Sequence, residues 1–542
     1  MENISGRKSL LEMERQLSRI TTISEDPEEG EEEIENEGGV DESLEGDEEN
    51  IEPCSTVEDE VRVETFLKEA MSFKRSNVSN WVVEVKIKDL VKDYKKLLPD
   101  HKRMFLKVLA RDYSVDHGEV LNCANAFIQS KDKNEKQLLK IEDDLKNSLT
   151  PNYNWLFHHV GRLDKGVKFL VDLRTDTLEL LADTDTNDEE HPYLAQLNAN
   201  LRDLLSLWFS VGFLSLERVT WASSCDMLQK ISDYEAVHPM HNWTELKRRV
   251  GPNRRCFVYT HGSMPEEPIV VLHTALTDDI PSSLRTLVTP APTARMSVDA
   301  SAGMRAQPQA ENLVHTKAAI FYSITSTQKG LQGIELGTYL IKRVVKELQA
   351  EFPHMKKFSS LSPIPRFHQW LMDKIKGFSS DVETDLFTND ELSSLKKLLK
   401  TEDSGEFWNT LRQVLDSNSW VQDHKLVMVF ETPLMRLCTR YLHLEKRRGA
   451  ALDPVANFHL RNGAMMWRLN WKADMTGRGL NNSFGIMVNY RYFLGDAEKH
   501  SRMYLEDQTI ACSDQIRHLS RLASDLMNKS LQQKNLGGEI SI

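Results

Sequence analysis

The sequence predicts an α+β protein in which an all-helical amino-terminal bundle domain precedes a mixed α/β domain. Three observations support this fold class. Apolar residues recur at helical spacing between residues 61 and 250. Short segments rich in β-branched residues, flanked by glycine and proline, appear after residue 250. A strongly acidic run separates the extreme amino terminus from both domains.

Residues 1–60 are predicted to be an acidic, disordered tail. From Glu25 to Glu60 the chain carries 19 acidic residues and neither lysine nor arginine. Such a run of like charge, with few apolar residues, cannot offset the entropy lost on ordering. Without these charges the net charge of −14 becomes about +5. This mildly basic body suits a polyanionic ligand, but it lacks the concentrated basic face that binds nucleic acid.

The bundle domain is predicted over residues 61–250. One apolar face extends from Val82 to Leu98, with apolar residues mostly three or four positions apart. A second extends from Val167 to Leu181 and is interrupted by Arg174. Short polar turns separate the helical segments, which is typical of a helical bundle.

The mixed domain, residues 251–542, combines predicted strands with helices. A flexible surface loop is expected at residues 289–312, where alanine, proline, serine and glutamine dominate. Helices are expected between Lys374 and Trp420, and again between Thr432 and Glu445. The predicted strands are Cys256–Thr260, Pro268–Leu276, Ala318–Ile324, Phe358–Ser362, Met465–Trp471 and Gly485–Phe493.

A glycine-containing turn follows the strand at Ala318–Ile324. Gly330, Gly333 and Gly337 let the backbone approach a ligand, and the helix that begins after them adds partial positive charge. The arrangement predicts a phosphate site, although its spacing is neither a dinucleotide-binding Gly-x-Gly-x-x-Gly nor a P-loop. The alternative is that these glycines only shape the turn.

The order of strand, glycine turn, helix and strand resembles the CoA-binding core of the N-acetyltransferase superfamily. Longer sequence blocks carry a more specific resemblance. The blocks are Phe213–Cys225, Glu235–Pro239, Asn242–Pro252, Gly330–Thr338, Phe358–Pro365, Thr432–Cys438, Asp453–Leu460 and Asn489–Phe493. In order and spacing they resemble the malonyl-CoA decarboxylase family, from about Leu97 to about Leu494. The family resemblance implies an acetyltransferase-like catalytic domain, a helical domain used in oligomerisation, and a homotetramer.

The resemblance implies a lyase of fatty acid metabolism that converts malonyl-CoA to acetyl-CoA and CO2. It assigns the active-site pair to Ser362 and His459, and a further site role to Tyr492. It matches Cys225 to a position linked with contacts between subunits, for which a buried free thiol is the simpler account. The malonyl-CoA binding loop is assigned to Gln332, Gly333, Ile334, Glu335, Leu336, Gly337 and Thr338.

The implied chemistry fits these residue types. Loss of CO2 leaves a thioester enolate, which needs fixed donors and then a proton on carbon. The thioester carbonyl is itself the electron sink, so we expect neither metal nor organic cofactor. His459 suits the role of proton donor because a histidine can be charged near neutral pH. Ser362 binds the carboxylate, orients His459 or acts as a nucleophile. The alternative function is an acyl-CoA-dependent acyltransferase.

The sequence predicts no membrane span, because no apolar run approaches the roughly 20 residues required. The six cysteines are scattered without a Cys-x-x-Cys pair, which indicates a reducing compartment and argues against structural zinc. Glu12 and Glu14 argue against a mitochondrial transit peptide. The last residues, Glu539–Ile542, do not match a peroxisomal signal. We therefore expect the cytoplasm or the mitochondrial matrix.

Overall fold

The computed structural model describes residues 56–75, 79–130, 134–209, 211–288, 316–334, 336, 340–378, 384–401 and 404–538. Most of the acidic tail, the loop at 289–312 and three residues of the glycine turn (Glu335, Gly337 and Thr338) lie outside these ranges. The chain divides into two compact units. The first comprises residues up to Leu205 together with Lys329–Gln332, and the second comprises the remainder.

The described part of the first unit is helical. Its first helix begins at Thr56, so residues 56–60 are helical although they were expected to be disordered. The helices are α1 Thr56–Ser72, α2 Asn80–Lys96, α3 Pro99–Asp112, α4 His117–Ile128, α5 Glu135–Ser148, α6 Tyr153–Val160, α7 Gly166–Asp183 and α8 His191–Trp208, the last of which crosses the unit boundary.

The apolar face predicted for α2 is confirmed in its centre. Val83, Ile87, Leu90 and Tyr94 are buried, at the spacing of three and four residues that places side chains on one side of a helix. Val85, which is off this spacing, is exposed. The hydroxyl of Tyr94 donates a hydrogen bond to the carboxylate of Asp176 in α7 at 2.8 Å.

Arg174 interrupts the apolar face of α7 in sequence, yet its side chain is buried. The guanidinium donates to the side-chain oxygen of Asn198 at 3.0 Å and to the backbone carbonyl of Gly330 at 2.5 Å. A buried cation is tolerated only when its N–H groups are satisfied. Arg174 therefore links α7 to the segment Lys329–Gln332 within the first unit.

The described strands of the second unit form a seven-stranded sheet in the order β1-β2-β3-β4-β5-β9-β8. The pairing of β4 with β5 is parallel, and the other described pairs of this sheet are antiparallel. A separate two-stranded ribbon is formed by β6 Lys446–Arg447 and β7 Ala450–Ala451. The strands of the sheet are β1 Leu214–Val219, β2 Arg254–His261, β3 Val270–Thr277, β4 Ala318–Ser326, β5 Lys357–Ser360, β8 Met465–Asn470 and β9 Met487–Tyr492.

The sheet begins earlier than the sequence indicates, because β1 lies inside the region predicted to be helical up to residue 250. This strand contains Glu217 and Arg218 and pairs through one edge with β2. Its half-polar composition hides the β-branched signal that marks the buried strands.

The helices of the second unit are α9 Cys225–Asp233, α10 Trp243–Arg249, α11 Arg285–Val288, α12 Leu340–Glu351, α13 Phe367–Lys376, α14 Asn389–Leu399, α15 Ser404–Asp416, α16 His424–Thr439, α17 Pro454–Arg461, α18 Gly477–Ser483, α19 Ala497–Leu505 and α20 Asp514–Gly538.

Strands β4 and β5 are neighbours for only part of their length. Residues Ala318–Phe321 pair with Lys357–Ser360, whereas β4 continues to Ser326 beyond the end of this pairing. The two strands are joined through α12, which is the crossover that a parallel pair requires. Within the described residues, no helix is long and apolar enough to cross a membrane.

We expect Gly330→Ala to destabilise the first unit. A Cβ atom at this position would lie 1.9 Å from the backbone oxygen of Val171, so α7 or the 329–332 segment must shift. Overpacking of this kind costs about 1–3 kcal/mol. Thermal unfolding of the full chain measures the effect. Gly262→Ala is the matched control, because nothing lies within 4 Å of its Cβ position. Equal melting temperatures for the two variants would contradict the packing role.

Candidate active site

Ser362, His459 and Tyr492, which are distant in sequence, lie together in the second unit. The Oγ atom of Ser362 is 3.0 Å from Nε2 of His459. The hydroxyl of Tyr492 is 2.7 Å from Nδ1 of the same imidazole. All three side chains are buried. The cluster therefore satisfies both nitrogens of one buried histidine.

Strand pairing fixes Ser362 and Tyr492 on the same face of the sheet. Beyond the end of β5, the backbone of Ser362 exchanges two hydrogen bonds with that of Val488, at 2.8 and 3.0 Å. Phe358 of β5 pairs with Tyr492 of β9. Directly paired residues of antiparallel strands point to one side, and side chains two residues apart share that side. The sheet register thus places the serine and the tyrosine together.

Ser360 extends the cluster and determines the order of donors. The hydroxyl of Ser362 donates to Oγ of Ser360 at 2.8 Å, and the backbone N–H of Tyr490 donates to the same oxygen at 3.3 Å. With the Ser362 proton so placed, Nε2–H of His459 donates to Ser362. The hydroxyl of Tyr492 then donates to Nδ1. This order gives one consistent neutral tautomer.

The helix α17 holds His459 through contacts at both of its ends. Asp453 caps the first turn, accepting from the backbone N–H of Ala456 at 2.8 Å. The hydroxyl of Tyr504 in α19 donates to the side-chain oxygen of Asn457 at 2.8 Å. After the last turn, Gly463 has a φ of +80° and lies so close to α19 that a Cβ atom would meet its backbone at 1.9 Å. His459 therefore has little freedom to move.

Burial sets the protonation states of the cluster. Desolvation lowers the pKa of His459 to about 3 and raises the pKa of Tyr492 well above its usual value. The imidazole of the free protein is consequently neutral near pH 7. A role as proton donor therefore requires that His459 gains a proton during the reaction.

The glycine loop is described only in part. Gln332 is grouped with the first unit, and Gly333 belongs to the second. Gly333 has a φ of +78° with no atom within 4 Å of its Cβ position. Ile334 accepts a 2.8 Å backbone hydrogen bond from Leu336, whose side chain is buried. The remaining members of the loop, Glu335, Gly337 and Thr338, lie outside the described residues. Among the described residues, no hydrogen bond joins this loop to Ser362, His459 or Tyr492.

The sequence interpretation overlooked Ser360 and Tyr490. The ring of Tyr490 stacks on the imidazole of His459, with centroids 4.6 Å apart and planes inclined by 18°. Both residues lie in quoted blocks, two positions before Ser362 and Tyr492 respectively. Because side chains in a strand alternate with a period of two, this spacing was the available signal.

A second buried polar cluster surrounds Glu235 in the second unit. Its carboxylate accepts hydrogen bonds from the backbone N–H groups of Val237 and His238, and from the hydroxyl of Ser323 at 2.7 Å. Nε2 of His273 is 3.4 Å away, and burial lowers the pKa of this histidine to about 3. Glu235 thus fastens the turn that contains His238 to β4.

Cys225 does not match the expectation of a buried thiol. It is exposed at the start of α9, and it forms no disulfide. Exposure removes the simpler packing account of this cysteine. Its link with contacts between subunits stays a prediction.

The chain is similar to characterised proteins over most of its length. The family model described as malonyl-CoA decarboxylase C-terminal domain matches residues 212–534, and the corresponding N-terminal domain matches residues 113–209. Mitochondrial malonyl-CoA decarboxylase of Anser anser anser is 46% identical over 76% of this chain and 78% of that protein. The enzyme of Rattus norvegicus is 46% identical over 78% of this chain and 82% of its own length.

Solved structures give the same result. The crystal structure of malonyl-CoA decarboxylase from Rhodopseudomonas palustris has a TM-score of 0.69 at 28% identity, and covers 85% of this chain and 99% of that one. The structure from Agrobacterium vitis has a TM-score of 0.67 at 28% identity, with coverages of 84% and 99%. The longer matched segment contains Ser362, His459 and Tyr492.

We expect His459 to remain a neutral imidazole, protonated on Nε2, from about pH 8 to about pH 5 in the free protein. Its pKa lies near 3 when folded, against about 6.5 in an unfolded chain. Below pH 6.5 the unfolded chain therefore binds a proton that the folded chain does not. The free energy of unfolding consequently decreases as the pH is lowered below 6.5. Nitrogen-15 NMR, assigned with His459→Asn, measures the state. Titration near pH 6.5 would contradict it.

Proposed function

The chain belongs to the malonyl-CoA decarboxylase family, and from this premise we propose how Ser362, His459 and Tyr492 remove CO2 from malonyl-CoA. The protein is a carboxy-lyase whose product is acetyl-CoA. The observation that carries the proposed mechanism is the buried imidazole with hydroxyl groups on both nitrogens. We assign catalysis to His459 and Ser362, and support of the imidazole to Tyr492.

The reaction consumes one proton for each CO2 released. The bond between the methylene carbon and the carboxyl carbon breaks, and its electron pair forms the enolate of the thioester. CO2 departs, and a proton added to the methylene carbon completes the methyl group of acetyl-CoA. The protein must therefore take a proton from solvent and deliver it to carbon in each cycle.

His459 takes up this proton when the substrate binds. Its low pKa in the free protein results from burial, and a carboxylate placed beside it opposes that effect. The malonyl group thus favours the imidazolium that the next step needs. After CO2 has left, Nε2–H is the donor to the enolate carbon. The imidazole is then neutral with its remaining proton on Nδ1, so the proton for the next cycle is taken up at Nε2.

Ser362 has two roles that fit its position. Its hydroxyl donates to the malonyl carboxylate when that group displaces the contact with Ser360. It also holds Nε2 of His459 at hydrogen-bond distance until the substrate arrives. Neither role needs a covalent intermediate, so we assign Ser362 to carboxylate binding and orientation rather than to nucleophilic attack.

Tyr492 suits a histidine that changes charge during the cycle. The phenol stays protonated because burial raises its pKa. Its hydroxyl donates to Nδ1 of the neutral imidazole, and its oxygen accepts from Nδ1–H of the imidazolium, so the tyrosine pairs with both charge states. A permanent carboxylate at this position would instead hold the histidine charged throughout.

The CoA arm is proposed to lie beside β4, as in an acetyltransferase-like domain. Because β4 runs on past the end of its pairing with β5, the edge N–H and C=O groups of this part lack a strand partner on that side within the described residues. Ser362 lies two residues beyond the end of β5 at Ser360. A pantetheine chain pairing with the β4 edge would carry the thioester towards Ser362. The loop Gln332–Thr338 is proposed to bind the substrate's phosphates.

The helical unit is proposed to mediate assembly into a homotetramer. Its hairpin of α4 and α5 exposes several large apolar side chains, which a further subunit would cover. No residue of α4 is buried in the single chain. These side chains are Leu121, Phe127, Ile128, Leu139 and Leu149.

The proposed compartment is the mitochondrial matrix or the cytoplasm. The relatives from goose, rat and mouse carry the word mitochondrial in their names, which supports the matrix. A role in fatty acid metabolism follows from the substrate pair.

We expect Ser362→Ala and His459→Asn to lower kcat by roughly 10²–10⁴-fold, the usual contribution of a positioned proton donor. The assay measures CO2 released from malonyl-CoA as the sole acyl substrate, which also separates decarboxylation from acyl transfer to an amine. His424→Asn, an exposed histidine of the same unit, is the matched control. Thermal unfolding verifies that the variants fold. A near-normal kcat in either variant would contradict the assignment of that residue to catalysis.

Gly333→Val and Gly333→Asn are both expected to raise KM for malonyl-CoA by about tenfold, equivalent to ~1.4 kcal/mol. Among the described residues, no atom lies within 4 Å of the added Cβ, so we expect a side chain there to meet the ligand rather than the fold. Asparagine tolerates the positive φ of +78°, and it isolates ligand contact from backbone strain. Gly262→Val is the control. A normal KM in the asparagine variant, with a raised KM in the valine variant, would show that strain alone is responsible.

A further inference from the structure

Asp453 lies six residues before His459 and is fully buried at the start of the same helix. One carboxyl oxygen caps α17 by accepting from the backbone N–H of Ala456. The other oxygen, Oδ2, is buried, and the described residues offer it no hydrogen-bond partner. A helix cap needs only one oxygen, as serine and threonine caps demonstrate. The second oxygen is therefore not explained by capping.

The surroundings of Asp453 lead back to the active site. Burial raises the pKa values of Tyr490, Tyr441 and Cys438, and the Asp453 carboxylate adds to this effect at all three. The hydroxyl of Tyr490 is also buried, with no hydrogen-bond partner among the described residues. Burial raises the pKa of Asp453 itself, whereas its backbone hydrogen bonds and the exposed Arg366 oppose that shift. Asp453 and Tyr490 thus each bring a buried polar atom without a partner to the neighbourhood of His459.

Tyr490 contacts both halves of the catalytic pair. Its ring stacks on the imidazole of His459. Its backbone N–H donates to Ser360, the acceptor of the Ser362 hydroxyl. A change in the position of Tyr490 is therefore transmitted to His459 directly and to Ser362 through two hydrogen bonds that share Oγ of Ser360.

We propose that Asp453 is a positioning residue for the decarboxylation, acting on His459 through the helix that it caps and through the ring of Tyr490. This inference rests on the proposed function of the Ser362–His459 pair. Asp453 touches neither the substrate nor the reacting atoms. Its effect is geometric, because a misplacement of about 1 Å near the reacting groups costs roughly 10²-fold in rate.

The ionised carboxyl is the form that positions the site. Oδ1 of the carboxylate holds the cap, whereas Oδ2 and the hydroxyl of Tyr490 are both without a hydrogen-bond partner in the described residues, so the charge acts on Tyr490 through space. Burial raises the pKa of Asp453 to about 7. Acidification through pH 7 therefore protonates this carboxyl, which weakens the cap of α17 and removes the negative charge that acts on Tyr490. The rate consequently rises with pH through this region.

The test measures kcat and KM of the full-length protein with malonyl-CoA from about pH 5.5 to about pH 8.5. Asp453→Asn keeps a cap acceptor and removes the ionisation. We expect kcat to fall by about tenfold, KM to change little, and the rise of rate near pH 7 to disappear. Tyr490→Phe keeps the ring and is expected to lose the same rise. Asp423→Asn, at the cap of α16, is the control and should retain the wild-type profile.

A second readout does not depend on turnover. The ring resonances of Tyr490 should shift with a midpoint near pH 7 in the wild type and stay constant in Asp453→Asn. A protein that releases no CO2 but shows this titration would overturn the proposed function and retain the link between Asp453 and Tyr490. An active Asp453→Asn variant with the wild-type pH profile and kcat would overturn the positioning role, whatever its melting temperature.

Discussion

The second unit depends on the requirement that a fully buried imidazole be hydrogen-bonded at both nitrogens. An unsatisfied polar group in the interior costs several kcal/mol on most scales, roughly 1–3 by mutational measures. His459 meets the requirement with Ser362 on one nitrogen and Tyr492 on the other. The two partners come from different strands, so the pairing of β5 with β9 and the placement of α17 must agree to within a hydrogen-bond length.

Sheet register is the means by which this agreement is reached. Sliding β9 by one residue against β5 would turn Tyr490 and Tyr492 to the opposite face and present Asn489 and Arg491 instead. The side chain of Asn489 already has a use on its own side, where it donates to the backbone oxygen of Ser360 at 2.8 Å. A slip would thus leave buried polar groups unpaired on both faces, which makes the observed register strongly preferred.

The buried strands and the three residues of the candidate site could both be singled out from the sequence, but for different reasons. The β-branched and aromatic residues of β4 predict a strand, whereas Ser362, His459 and Tyr492 were identified by the family resemblance alone. The edge strand β1 was missed because its charged residues match its exposure rather than any strand pattern. The neutrality of His459 depends on how completely the fold excludes water, and a linear sequence does not carry that information.

Packing also explains why Gly330 and Gly333, two glycines of one turn, have different structural roles. Gly330 is buried against a helix, where no side chain fits, while Gly333 adopts a positive φ in open space. Both appear as the same letter three positions apart, and sequence reasoning gave them one role. The distinction follows from the contacts of Gly330. The backbone of Val171 blocks its Cβ position, and its carbonyl accepts a hydrogen bond from buried Arg174, so the residue serves the helical unit. A glycine required by a positive φ and a glycine required by close packing look alike in sequence. They can be distinguished only when the neighbouring parts of the fold are known.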